Sequence, residues 1–300
     1  MFESKSRILL LAAALVTAQV QAQPALEAAA DRQREIVAEI DRIQSEQGLQ
    51  SGALIEPLSE LALFYEENDD DLFALATTER ILTVIRDNFG LYSLEQVPTL
   101  RQLIRYAEAR GDFEGAWNLE ERMKTLAQRY PEDLASVPIW EYLADLRMNM
   151  LERYVVGELP VRMTFGCYHD TNVRLSSCIT GSREAAARNL LKEAHEFYNN
   201  AIDVLIRNDQ YESEHLRQFE MSLVVSSFRH GRFLRSRIGV SKARNKGPDG
   251  CESGIGSLRR LHDYNIRNLV SIEQRLNSLL QIADARLLCE QLVIASREYQ

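Results

Sequence analysis

The sequence predicts an all-α chain made of repeated helical hairpins, and three observations predict it. Apolar residues recur at helical spacings of three, four or seven, as in Leu26, Ile36, Val37, Ile40 and Ile43. A central stretch matches itself at a constant offset of 42 residues. A period between about 20 and 50 residues marks stacked units, none of which can bury its apolar face alone. At 45% apolar residues the chain can also fill a sizeable core.

The first 22 residues read as a signal peptide. Lys5 and Arg7 give a positive start, Ile8 to Val16 is an unbroken apolar run, and Val20 and Ala22 suit cleavage before Gln23. The run is too short for a membrane span and fits a secretory h-region. The expectation is an exported protein, periplasmic or extracellular, with no transmembrane segment in the mature chain.

Residues 23–54 hold an amphipathic capping helix that Gly48 ends. Residues 55–156 carry the repeats. Leu61 falls on Leu103, Phe64 on Tyr106, Ala74 on Ala116, Glu79-Arg80 on Glu121-Arg122 and Val84 on Leu126. Each unit reads as helix, tight turn, helix, with turns at Asn68–Asp71 and Arg110–Asp112. Segments carrying Gly or Pro near a helix boundary join one pair to the next.

These residues resemble the tetratricopeptide repeat, and the 42-residue stride resembles the longer variant found in kinesin light chains. In that family a large-small pair on the first helix meets a small residue on the second. Leu61-Ala62 with Ala74 fits, Gly111-Asp112-Phe113 with Ala116 matches the turn signature, and Trp140, Leu143 and Ala144 match the start of a third unit. Ile104 stands where Ala or Gly is usual, and Asp69 where the turn glycine is. The resemblance implies a tetratricopeptide-like solenoid of helix pairs whose concave face receives a peptide or protein. The groove positions it implies are Ser59, Leu63 and Glu66, then Arg101, Arg105 and Glu108, then Glu141, Asp145 and Met148. This set mixes charges of both signs and lacks the basic clamp that grips a C-terminal carboxylate in some co-chaperones.

Residues 157–182 interrupt the pattern. Val161, Met163 and Phe165 alternate as in a short strand, and with Val173-Arg174-Leu175 they suggest a small irregular or β-hairpin insertion. Degenerate helical repeats resume over 183–300. Ala194, Tyr198, Ala201 and Ile202 read as a second helix of a unit, and Gly231-Arg232-Phe233 with Ser236 reads as another turn and small residue. A loop holding Gly239, Gly247, Gly250, Gly254 and Pro248 spans 239–254, and two helices close the chain.

All four cysteines, Cys167, Cys178, Cys251 and Cys289, lie in this second half. An even number in an exported chain favours disulfides. Cys167–Cys178 and Cys251–Cys289 are the favoured pairs of three possible connectivities. Cys167, His169, Asp170 and Cys178 are also zinc-ligand types, but oxidised cysteines cannot ligate metal.

Charge separates the halves. Residues 23–150 hold 12 Lys/Arg and 25 Asp/Glu, a net of −13, and residues 151–300 hold 21 and 18, a net of +3. The second half concentrates a basic run at Arg229, Arg232, Arg235 and Arg237. This suits an anionic partner, a solvated face, or docking on the chain's own acidic half. Nucleic acid does not fit a net charge of −9 in an exported chain.

No phosphate loop, nucleophile elbow or paired zinc histidines occur; His195-Glu196 lacks its second histidine because Asn199 stands there. The acidic turn Asp69-Asp70-Asp71 lacks calcium-loop spacing. The expected function is a non-catalytic scaffold or adaptor in the cell envelope, with no cofactor and an unidentified protein or peptide partner. A self-assembling structural subunit is the alternative, and a hydrolase or metal-dependent enzyme comes after it.

Overall fold

Three helices start on the same local device. Ser51 Oγ accepts the Ala53 N–H at 3.3 Å, Ser93 Oγ the Glu95 N–H at 3.1 Å, and Asp133 Oδ1 the Ala135 N–H at 2.9 Å. Each opens one 3-10 turn, at Gly52–Leu54, Leu94–Gln96 and Leu134–Ser136. These turns feed α2 (Ile55–Glu67), α4 (Val97–Ala109) and α6 (Val137–Val155). Pro98 and Pro138 sit in the first turns of α4 and α6, where a missing N–H costs nothing.

The computed structural model describes residues 27–158, 183–235, 250–268 and 270–288, all helix, turn or short connection. Helix α1 covers 27–47. The remaining elements are α3 (Asp71–Phe89), α5 (Phe113–Arg129), α7 (Arg183–Arg207), α8 (Glu214–Arg235), α9 (Gly250–Arg267) and α10 (Ile272–Leu288). The fold is all-α, and among the described residues there is no strand. No described helix is long and apolar enough to cross a membrane.

Four helices end on one turn type. Asp69, Gly111, Gly157 and Asp209 adopt φ of 57°, 71°, 86° and 57° just past the ends of α2, α4, α6 and α7. The following N–H closes each turn: Asp70 to Tyr65 O at 2.9 Å, Asp112 to Ala107 O at 2.8 Å, Glu158 to Arg153 O at 2.9 Å and Gln210 to Leu205 O at 2.9 Å. Such bonds satisfy carbonyls that the helix end leaves open. Aspartate tolerates this region better than most residues. Asp69 therefore does the work the repeat pattern expects of glycine.

The chain divides into two units within α5, one ending at Leu119 and one beginning at Glu120. In the first, Ile36, Ile40 and Ile43 of α1 share a core with Leu58, Leu61 and Phe64 of α2 and Ile81, Val84 and Ile85 of α3. Helix α4 packs on α3. In the second unit α6 packs on α7, α7 on α8, α8 on α9, and α9 on α10. Met150, Leu151 and Tyr154 meet Ala187, Leu190 and Leu191 between α6 and α7. Val224 joins Ile255, Leu258, Ile282 and Ala285 across α8, α9 and α10.

Three hairpins are clasped by asparagines. Asn88, in the last turn of α3, donates to Gln50 O at 2.7 Å, ahead of α2. Asn208 donates to Glu132 O at 2.8 Å, ahead of α6, and Asn268 to Tyr211 O at 3.0 Å, ahead of α8. Fourteen positions before each asparagine stands a buried small residue: Ala74, Ala194 and Gly254. Small residues there let two helices approach closely. Ala116, the expected partner of Ala74 in the repeat, is likewise buried at 3% exposure.

Gly254 corrects the sequence reading. Residues 250–254 are the first turn of α9 and not loop. A Cβ on Gly254 would lie 2.9 Å from Phe228 Cε2 of α8, so this glycine serves close packing. The small residue of the α8–α9 hairpin is thus Gly254, and Ser236, the sequence candidate, lies outside the described residues. Gly231-Arg232-Phe233 is likewise no turn, because α8 stays helical through Arg235. A glycine inside a helix costs only about 0.5–1 kcal/mol relative to alanine. Residues 159–182 of the expected 157–182 insertion, residues 236–249, the leader 1–22, and Cys167, Cys178 and Cys289 lie outside the described residues. So does the side chain of Cys251, although its backbone belongs to α9.

Candidate functional site

In the first unit the expected groove residues lie along α2 and α4. Ser59 and Arg105 are exposed, Leu63 keeps 47% of its surface, and Arg101 and Glu108 are half-buried. Ser59 Oγ donates to Ile55 O at 2.6 Å. Glu66 is engaged: it accepts from Gln102 Nε2 at 3.0 Å and from the Tyr106 hydroxyl. Burial pushes the Glu66 carboxyl upward, but those hydrogen bonds and the Arg105 charge outweigh it and hold it below its usual range. Glu66 is therefore a tie between α2 and α4.

In the second unit the wall of the site is fixed from behind. Arg147 of α6 is 1% exposed and reaches Glu120 Oε2 of α5 through Nη1 and Glu193 Oε2 of α7 through Nε, both at 2.6 Å. Its guanidinium also lies 5.8 Å from the Phe197 ring centroid, and Phe197 stacks on Trp140. Burial disfavours its charge, yet the two carboxylates prevail and its pKa is raised.

On the open side of α6, a cleft of about 340 Å³ runs between α6 and α8. Met148 and Glu152 line it from α6, Tyr198 from α7, and Gln218, Met221, Ser222, Val225, Ser226 and Arg229 from α8. Tyr198 is 4% exposed and donates to Asp145 Oδ1 at 2.6 Å. Burial, then the Asp145 carboxylate, pushes its hydroxyl well above the ordinary tyrosine range. Ser226 Oγ is fixed by His195 Nε2 at 2.7 Å. Met221 and Val225 remain 40% and 53% exposed.

A second cleft of about 250 Å³ lies between α8 and α10. Arg217 and Met221 line it from α8, Leu261 and Asn265 from α9, and Gln274, Asn277, Ser278 and Gln281 from α10. Met221 belongs to both clefts, so they adjoin. Behind the second, buried Glu220 takes a bidentate pair from Arg260, Nε to Oε1 at 2.5 Å and Nη2 to Oε2 at 2.8 Å. This fork locks α9 to α8.

Of the sequence candidates, the structure gathers Met148 and Arg229 in one cleft and hydrogen-bonds Asp145 to a third lining residue, Tyr198. Glu141 is half-buried on α6. Arg229 is no lone cation, since Nη1 pairs with Glu152 Oε1 at 2.7 Å. Arg232 and Arg235 stand on α8, but their side chains, and all of Arg237, lie outside the described residues. Sequence reasoning missed Arg217, Gln218, Met221 and Val225. Their signal was a stripe along α8 at helical spacing, to which the groove positions had not been extended.

Chemically, both clefts offer thioether and aliphatic surface beside carboxamides that donate and accept at once. Among the described residues no three His, Cys, Asp or Glu side chains converge as metal ligands. The sequence matches no protein-family model and no curated protein.

Proposed function

We propose that this chain is a non-catalytic scaffold or adaptor of the tetratricopeptide type, exported to the cell envelope, that holds a peptide or protein segment across α6, α8 and α10. The observation that carries this reading is the pair of adjoining clefts sharing Met221. Each offers apolar contact for side chains and polar groups for a peptide backbone, the usual make-up of a binding site. The walls are set beforehand by Arg147 and Glu220, so the scaffold loses little freedom on binding. The expected test uses the full mature chain on a solid support and a random library of capped octapeptides. The native chain should retain peptides, and Met221→Glu with Val225→Glu should abolish retention while far-ultraviolet circular dichroism stays unchanged. Retention equal to that of a blank support would overturn the reading.

Self-assembly is the second reading, favoured by α10. Ile272, Leu276, Leu280 and Leu287 keep between 45% and 68% of their surface. Three of them stand four residues apart, on one helix face. Light scattering over a wide concentration range tests it: a constant monomer mass removes self-association.

A further inference from the structure

The second cleft contains a charge that no described residue answers. Arg217 lines it, yet among the described residues the guanidinium makes no ion pair or hydrogen bond, and its Nε is buried without a partner. Two other arginines, one on α8 and one on α9, are answered. Arg229 is paired with Glu152, and Arg260 is forked onto Glu220. Among the described residues no carboxylate lines the cleft around Arg217; the polar residues that share its lining are Asn265, Gln274, Asn277, Ser278 and Gln281. A shielded Nε–H without an acceptor is a donor that a bound ligand can satisfy.

We infer that Arg217 reads a side-chain carboxylate, Asp or Glu, of an extended peptide lying in the α8–α10 cleft. The inference rests on the groove reading above and names its ligand class. A carboxylate matches the planar fork of arginine and would complete its hydrogen bonds. The surrounding carboxamides are neutral, so they can hold the peptide backbone on either side without competing for the cation. The acid belongs within the peptide and not at its end. The cleft adjoins the α6–α8 cleft through Met221, so a chain crossing both passes Arg217 with residues to spare on each side.

The test uses the immobilised full chain and octapeptide libraries, acetylated and amidated at their ends, with one position fixed in turn as Glu, Gln or Lys. At one position Glu should be retained at least about tenfold over Gln, roughly the worth of one charge-assisted hydrogen bond. Arg217→Gln should bring that ratio to within about twofold. Arg217→Glu should turn the preference toward Lys, an inversion that a merely structural arginine would not give. A Glu preference that survives in Arg217→Gln overturns the inference and leaves the groove standing. So does a wild-type preference confined to unamidated peptides, which would assign the site to a chain terminus. If no library is retained at all, the groove and the inference fall together.

Discussion

Arg147 Nε meets Glu193 Oε2 at 2.6 Å, and this contact fastens α6 to α7 at a point where Arg147 is 1% exposed. Arg147 also holds Glu120, whose side chain is 3% exposed. Removing one partner of a buried ion pair typically costs about 3–5 kcal/mol, because the other charge stays buried. Arg147→Met should therefore lower stability by about that amount in urea unfolding. Glu193→Gln should cost less than Glu120→Gln, since Glu193 retains 28% of its surface and water can screen it. Equal losses would contradict the account.

High pH should weaken the fold through its buried tyrosines. Burial first, and then the Glu66 and Glu220 carboxylates, push Tyr106 and Tyr264 to about 12. Tyr198 moves the same way beside Asp145. An unfolded tyrosine ionises near pH ~10. Between about 10 and 12 the unfolded chain sheds protons that the folded chain keeps, so stability is full below that window and falls as pH rises through it. Tyr198→Phe should flatten the decline of the urea midpoint between about pH 9 and 11. An unchanged slope would rule out this source.

The reversing turns separate glycine from aspartate. Gly111 has φ 71° and room for a methyl group, its nearest neighbour being Phe113 Cε2 at 3.8 Å. Gly111→Ala should thus cost about 1–2 kcal/mol from backbone strain alone. Gly111→Asn should cost less than Gly111→Ala, and Asp69→Gly should match or exceed the native stability. Thermal melts of the three variants check the order.

Much of the fold was legible because the repeat was written in its packing residues. The pattern built on Leu61, Ala62, Ala74, Leu103 and Ala116 points to residues that are all buried. Legibility failed where one residue type serves two ends. Glycine at 231 and 254 looked like a chain reversal, whereas in this fold Gly254 clears space for Phe228. The clasping asparagines had a signal too: Ile206-Arg207-Asn208 recurs as Ile266-Arg267-Asn268. That stride is 60 and not 42, so a search at one period passes over it. The candidate site was legible only in part. Met148 and Arg229 stood out by position and charge, but nothing in the sequence shows that Arg229 is answered by Glu152 and Arg217 by nothing described.

Each clasp should stabilise its own hairpin. Asn88→Ala, Asn208→Ala and Asn268→Ala each remove one side-chain bond to a carbonyl, at about 0.5–1.5 kcal/mol. Hydrogen exchange should quicken mainly in α2 and α3 for the first, α6 and α7 for the second, and α8 and α9 for the third. Uniform quickening through a whole unit would show that the clasps do not act locally.

The asparagine clasps also bear on how the molecule yields to force. Every one of them joins the end of a hairpin's second helix to the approach of its first. A pull on the chain ends therefore loads each clasp along a closed loop of its own hairpin. Stretched between two beads, the protein should extend in discrete rips, each releasing the contour of one helix pair, like a ladder giving way rung by rung.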